Sequence, residues 1–180
     1  MEDTLLKRLT DIENWLQKEY MGIRTGQATP ALLDSLRVEN YGTRMPINQV
    51  GSVGIEDART LRISPWDAGS IAAIERAIKD ADLGVSVSTD SAGLRVIFPE
   101  LTSERRVQLL KLAKSKLEDA RVSVRSVRDE VMKELDARQK DSEISEDEKF
   151  TKKESTQKLV DAANAKLESM YTAKEAEINQ

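Results

Sequence analysis

Glycine and proline are missing from both ends of this chain. All four prolines (Pro30, Pro46, Pro65, Pro99) and all eight glycines fall between Gly22 and Pro99. Proline cannot donate a backbone N–H, and glycine loses the most backbone entropy on folding, so these two types break regular structure most strongly. Their confinement divides the 180 residues into three pieces. The two ends can be helical, and the middle reads as strands and turns. Because the helical ends are far apart in sequence, the simplest architecture is a helical domain with a second domain inserted into it. The length allows each domain its own core.

Periodicity supports the division. Leu5, Leu9, Ile12, Leu16 and Ile23 form one helical stripe near the start. Leu110, Ala113, Leu117, Ala120, Val124, Val127 and Val131 alternate spacings of three and four, the pattern of helices packed at a shallow angle. Val160, Ala163, Leu167 and Met170 continue it in the last piece. Thr102 is placed to cap a helix with Glu104 in its first turn, and Ser145 with Glu148 has capping-box spacing. Helices are therefore expected near 3–24, 103–140 and 145–178, long enough to form a rod. Between them, Val38, Tyr41, Ile47, Val53, Ile55, Leu61, Ile63, Val85, Val87 and the run Leu94–Phe98 predict about six strands. Ile71, Ile74 and Ile78 predict one helix, stopped at Asp82-Leu83-Gly84. The expected class is α+β: an elongated antiparallel three-helix bundle of residues 1–26 and 102–180, with a small β/α/β domain, 27–101, inserted between its first and second helices. Two linkers join the domains. Gly26, Gln27, Ala28, Thr29 and Pro30 make one and Pro99, Glu100, Leu101 and Thr102 the other, and together they form an expected hinge.

Composition excludes several chemistries. With neither His nor Cys, the chain lacks the commonest general base and metal ligand, any thiolate nucleophile and any disulfide. No run approaches 18 apolar residues, so no membrane span is expected, and the expected location is the cytoplasm. Gly51-Ser-Val-Gly54 lacks the spacing and lysine of a phosphate loop, and Asp80-Ala-Asp-Leu-Gly84 lacks the remaining ligands of a calcium loop. Glu143, Glu146, Asp147 and Glu148 are explained as acids at a helix start. Trp15 and Trp66 are expected to pack in a core or hinge. No catalytic residue, metal, cofactor or small-molecule substrate is expected.

Charge is what remains. The formal net charge is −4, yet residues 104–128 carry eight bases against three acids, and 129–150 carry nine acids against four bases. Arg121, Arg125 and Arg128 share one helical face at i, i+4 and i+7. A solvated face explains such a row. Phosphate binding is the lesser alternative from charge alone, because the guanidinium fork suits phosphate oxygens and like charges one turn apart cost a helix a few tenths of a kcal/mol each, a cost that an acid on the same or a neighbouring helix could also offset. A second possibility is a non-catalytic scaffold that binds proteins through the acidic 129–150 hairpin.

Individual blocks carry a resemblance. Ile23-Arg-Thr-Gly-Gln-Ala-Thr-Pro-Ala-Leu-Leu-Asp34, Tyr41-Gly-Thr43, Asp57-Ala-Arg-Thr-Leu61, Asp82-Leu-Gly84, Glu104-Arg-Arg106, Ala120-Arg-Val122 with Val124-Arg125, and Ile144-Ser-Glu-Asp147 occur in order. Together they resemble the bacterial ribosome recycling factor family over essentially the whole chain. The resemblance implies an L-shaped, tRNA-like molecule that acts as a monomer on the post-termination ribosome. Its expected partners are the large ribosomal subunit with its rRNA, and elongation factor G, which with GTP would drive splitting into subunits. It also implies rRNA contacts for Arg24, Arg125 and Arg128, with Arg121 on the same stripe. The family usually has Arg where this chain has Gln27, and a basic residue where it has Asp129.

Overall fold

The computed structural model describes residues 2–180. The elements run α1 (Glu2–Met21), β1 (Arg37–Asn40), β2 (Thr43–Pro46), α2 (Ile47–Val50), β3 (Gly51–Asp57), β4 (Thr60–Pro65), α3 (Ile71–Asp80), β5 (Ser86–Asp90), β6 (Gly93–Ile97), α4 (Ser103–Lys140) and α5 (Glu146–Asn179), with short 3-10 turns at Pro30–Leu33 and Ala68–Ser70. The chain divides into two compact units. One comprises residues up to Tyr20 with Leu110–Ala176, and the other Met21–Leu109 with Glu177–Gln180.

The first unit is the bundle. Its helix directions follow from which charged residues meet. Arg8 pairs with Glu130 and Glu19 with Lys116, so α1 and α4 run antiparallel. Arg121 pairs with Glu168 and Asp136 with Lys153, so α4 and α5 do too. Glu2 with Ser155 and Glu13 with Lys166 keep one constant offset, which makes α1 parallel to α5. The seam holds Leu5, Leu9 and Leu16 of α1, Ala113 to Leu135 of α4 at alternating spacings, and Thr156, Val160, Ala163 and Leu167 of α5. Tyr20 is also buried, and its phenol donates to the Ala113 carbonyl at 2.8 Å. At 1.5 Å per residue α4 is about 57 Å long and α5 about 51 Å.

Helix ends agree closely with their signals. Thr102 Oγ1 accepts the Arg105 N–H at 3.1 Å. Ser145 and Glu148 close the reciprocal capping box, each side chain accepting the other's backbone N–H at 3.2 and 2.8 Å. The first helix ends sooner than its stripe suggests. It stops at Met21, and Ile23 is buried in the second unit instead. An apolar residue at the right spacing cannot reveal which core it enters.

The second unit contains an antiparallel four-stranded sheet of order β3-β4-β6-β5 and a separate β1-β2 hairpin. Leu61, Ile63, Leu94 and Val96 fill one face of the sheet against Ile74 and Ile78 of α3, with Leu33, Val38, Ile47 and Phe98 completing the core. Gly93 has no substitute, since a Cβ there would run into the Ile63 carbonyl and φ is +145°. Residues 47–50, read as strand, form a helical turn. The expected burial of the tryptophans is corrected: Trp66 is 69% exposed and Trp15 38%.

Candidate nucleic-acid interface

The arginines implicated by the sequence occupy two different environments. Arg121, Arg125 and Arg128 line one groove of about 680 Å³ within the bundle, together with Val124 and Asp129 of α4 and Gln157, Val160 and Asn164 of α5. The helical period brings the three guanidinium groups to one side, and the a/d packing of Val124 against Val160 sets the floor between them.

Their partners differ. Arg121 is held by Glu118, one turn earlier at 3.0 Å, and by Glu168 across the groove. Arg128 donates through Nε to Gln157 at 2.7 Å and through Nη1 to Asp129 at 3.0 Å. Arg125 is exposed and makes no hydrogen bond or ion pair among the described residues. Its five donors are uncommitted. The groove therefore offers one free guanidinium flanked by two that are positioned by their neighbours and still partly exposed, at 36% and 39% of their side chains. Gln157 and Asn164 escaped the sequence reading. Each lies three or four residues from Val160 in α5, so the heptad register of the third helix was the available signal.

Arg24 stands elsewhere. It is 7% exposed, in the second unit. Nη1 donates to the Gly84 carbonyl at 2.8 Å, Nη2 donates to the Pro99 carbonyl, and the guanidinium carbon lies 5.6 Å from the Phe98 ring centroid. Nε is buried without a partner among the described residues. Burial, and then the nearby Arg105 charge, lowers the pKa of this group from its ordinary value, although an arginine remains charged. Gly84 turns with φ +68° to bring its carbonyl there. Arg24 thus spends its donors inside the protein and does not join the groove.

The linker residues are largely tied down as well. Ala28 donates to the Ala58 carbonyl at 2.8 Å, Pro30 opens a 3-10 turn, Pro99 accepts from Arg24, Glu100 pairs with Arg59 at 2.8 Å, Leu101 is buried and Thr102 caps α4. Gly26 differs, since a Cβ there would meet nothing within 4 Å. Gln27 is exposed and Thr29 half-buried.

The acidic run 129–150 is mostly consumed internally. Glu130 pairs with Arg8, Glu134 and Glu143 with Arg138, Asp136 with Lys149 and Lys153, and Glu148 with Ser145. Among the described residues no cluster of three or more acids could hold a metal ion, and no helix is long and apolar enough to cross a membrane.

The ribosome recycling factor family model matches residues 16–178. The chain belongs to this family. A ribosome-recycling factor of Oleidesulfovibrio alaskensis is 43% identical over 163 residues, covering 91% of this chain and 89% of that protein. A solution structure of the ribosome recycling factor aligns with TM-score 0.77 at 33% identity, over 98% of this chain and 96% of that one. Models for the T. thermophilus ribosome recycling factor and the E. coli elongation factor G bound to the E. coli post-termination complex align with TM-score 0.67 at 36% identity, with the same coverage. As a ribosome recycling factor the chain is a translation factor and not an enzyme. The family's fold is the observed one, a bundle of α1, α4 and α5 with a sheet domain inserted between α1 and α4.

Proposed function

We propose that this chain binds the post-termination ribosome and, with elongation factor G and GTP, splits it into subunits. The observation that carries the RNA-binding part is the uncommitted Arg125 between the positioned Arg121 and Arg128. Guanidinium groups spaced along a helix meet successive phosphates of an RNA backbone, and such contacts fix position without reading sequence. The large subunit and its rRNA are the proposed binding surface, and the cytoplasm the place of action. Rotation of the inserted domain is the proposed mechanical step. Gly26 supports a pivot on the first linker, because it lies between the tethers at Arg24 and Ala28 and nothing packs where its side chain would be.

Arg125→Ala tests the groove. Affinity for purified large subunits is expected to fall, and the log–log salt dependence to flatten by about 0.7–0.9 for each phosphate that is no longer neutralised. Co-sedimentation across a salt series measures both. An unchanged slope removes the groove from the RNA interface. Light scattering of post-termination ribosomes, omitting this protein, elongation factor G or GTP in turn, reads the splitting itself.

A further inference from the structure

Cross-pairs between α4 and α5 follow one antiparallel register. Arg121 pairs with Glu168 and Asp136 with Lys153, and the same register sets position 164 of α5 across the groove from Arg125. A carboxylate there would neutralise Arg125 as Glu168 neutralises Arg121. The chain has Asn164 instead. This half-buried amide makes no hydrogen bond among the described residues, and it lines the groove of about 680 Å³ together with Arg125. The other amide of the groove is committed on both atoms, since Gln157 accepts from Arg128 at 2.7 Å and donates to Asp161 at 2.8 Å.

Two uncommitted groups of different kinds therefore share one space. Arg125 carries a charge and donors only, which suits an anionic oxygen. Asn164 has an acceptor as well as donors, and an acceptor among cations gains nothing from a phosphodiester alone. It needs a ligand that also donates. The floor of Val124 and Val160 is buried, and among the described residues no aromatic side chain lines the groove for a base to stack on. What fits is the sugar–phosphate edge of a polynucleotide, presenting a phosphate to α4 and a hydroxyl to α5. RNA carries that hydroxyl and DNA does not: the ribose 2′-OH both donates and accepts.

We infer that Asn164 contacts the RNA directly, hydrogen-bonding the ribose 2′-OH of a nucleotide whose phosphate Arg125 holds. This rests on the groove being the RNA-binding face, and it adds an orientation, with the phosphates along α4 and the ribose edge toward α5. Asn164 acts in two ways. Its neutrality leaves Arg125 open, and its amide distinguishes ribose from deoxyribose. An amide neutralises no phosphate, so its share of the binding carries no salt dependence, whereas that of Arg125 does.

Variants of the full chain are compared with Arg125→Ala by co-sedimentation with large subunits across a salt series. Asn164→Leu, a good helix former at this half-buried position, should lower the affinity about fivefold, the worth of one neutral hydrogen bond, with the log–log slope unchanged. Asn164→Gln should recover most of that loss. Asn164→Asp should pair with Arg125 and flatten the slope as Arg125→Ala does. A labelled RNA hairpin at low salt, with its 2′-deoxy and 2′-O-methyl counterparts, reads the hydroxyl. The parent chain should prefer RNA to both by about fivefold, and Asn164→Leu should lose that preference while Arg125→Ala keeps it. An unchanged slope in Arg125→Ala removes the groove from the RNA interface and this contact with it. When Arg125→Ala does flatten the slope, four results overturn the Asn164 contact alone: full affinity in Asn164→Leu, a flattened slope in that variant, no saturable binding of the RNA hairpin, or equal binding of all three hairpins.

Discussion

Two stretches rich in family-type residues, 23–34 and 120–128, present arginine in opposite states. In the first, Arg24 is buried with two of its nitrogens on backbone carbonyls. In the second, Arg125 stands exposed and unpaired among the described residues. Both have the same chemistry and the same family association. The difference shows that an arginine's function depends on which acceptors its fork can reach after folding. Carbonyls left over at a turn and at a strand exit turn Arg24 into a brace, whereas a straight helix with every carbonyl already bonded leaves Arg125 free for an outside anion.

The largest expected effect comes from breaking the brace. Arg24→Ala should destabilise the second unit by about 2–3 kcal/mol, since charge-assisted hydrogen bonds disappear and two carbonyls are left in a poorly solvated place. Arg24→Lys should not recover it, because an ammonium lacks the fork. Urea unfolding followed by Trp66 fluorescence in a Trp15→Phe background checks both. Unchanged stability with reduced RNA affinity would erase the contrast between Arg24 and Arg125.

A smaller effect sharpens it. Tyr20 does in the bundle what Arg24 does in the second unit, a buried donor on the Ala113 carbonyl. Tyr20→Phe is expected to cost about 1 kcal/mol in chemical denaturation. Burial, with Tyr171 and Glu168 adding to it, pushes the phenol up to about 12. The folded state thus holds this proton more tightly than the unfolded one. The resulting stability is complete below about pH 10 and is lost as pH rises toward about 12. Tyr20→Phe should remove that alkaline decline.

The smallest expected effect concerns an arginine of the intermediate kind, neither buried nor free. Arg62 grips Asp90 through two bonds of 2.7 and 2.9 Å on the sheet surface. That grip, with the Ala92 and Gly93 N–H groups, holds the Asp90 carboxyl down at about 2. Its contribution is present above about pH 4 and lost as pH falls through about 2. Thermal melts over that interval should decline less steeply for Asp90→Asn than for the parent chain. Identical acid limbs would mean that this exposed pair stabilises nothing.

Much of the fold was legible because it depends on short-range physics. The Gly/Pro distribution, the three-and-four spacing of Ala113 to Val131 and the Ser145–Glu148 box each act within a turn or two, so α4 and α5 came within a residue of their observed ends. The face shared by Arg121, Arg125 and Arg128 was equally local. Less legible were the end of α1 at Met21, the helical turn Ile47–Val50 and the exposure of Trp66. Each depends on which distant surface a side chain meets.

The sequence alone determined where helices can run, which of their faces are apolar, and which chemistries are impossible without His or Cys. Folding decided which charges find partners. It buried Arg24 against Gly84 and Pro99, bound Arg121 to Glu168 and left Arg125 open. Helical periodicity is a property of neighbours along the chain, while the partner of a charge is whatever packing brings within a few ångströms from residues far away in sequence.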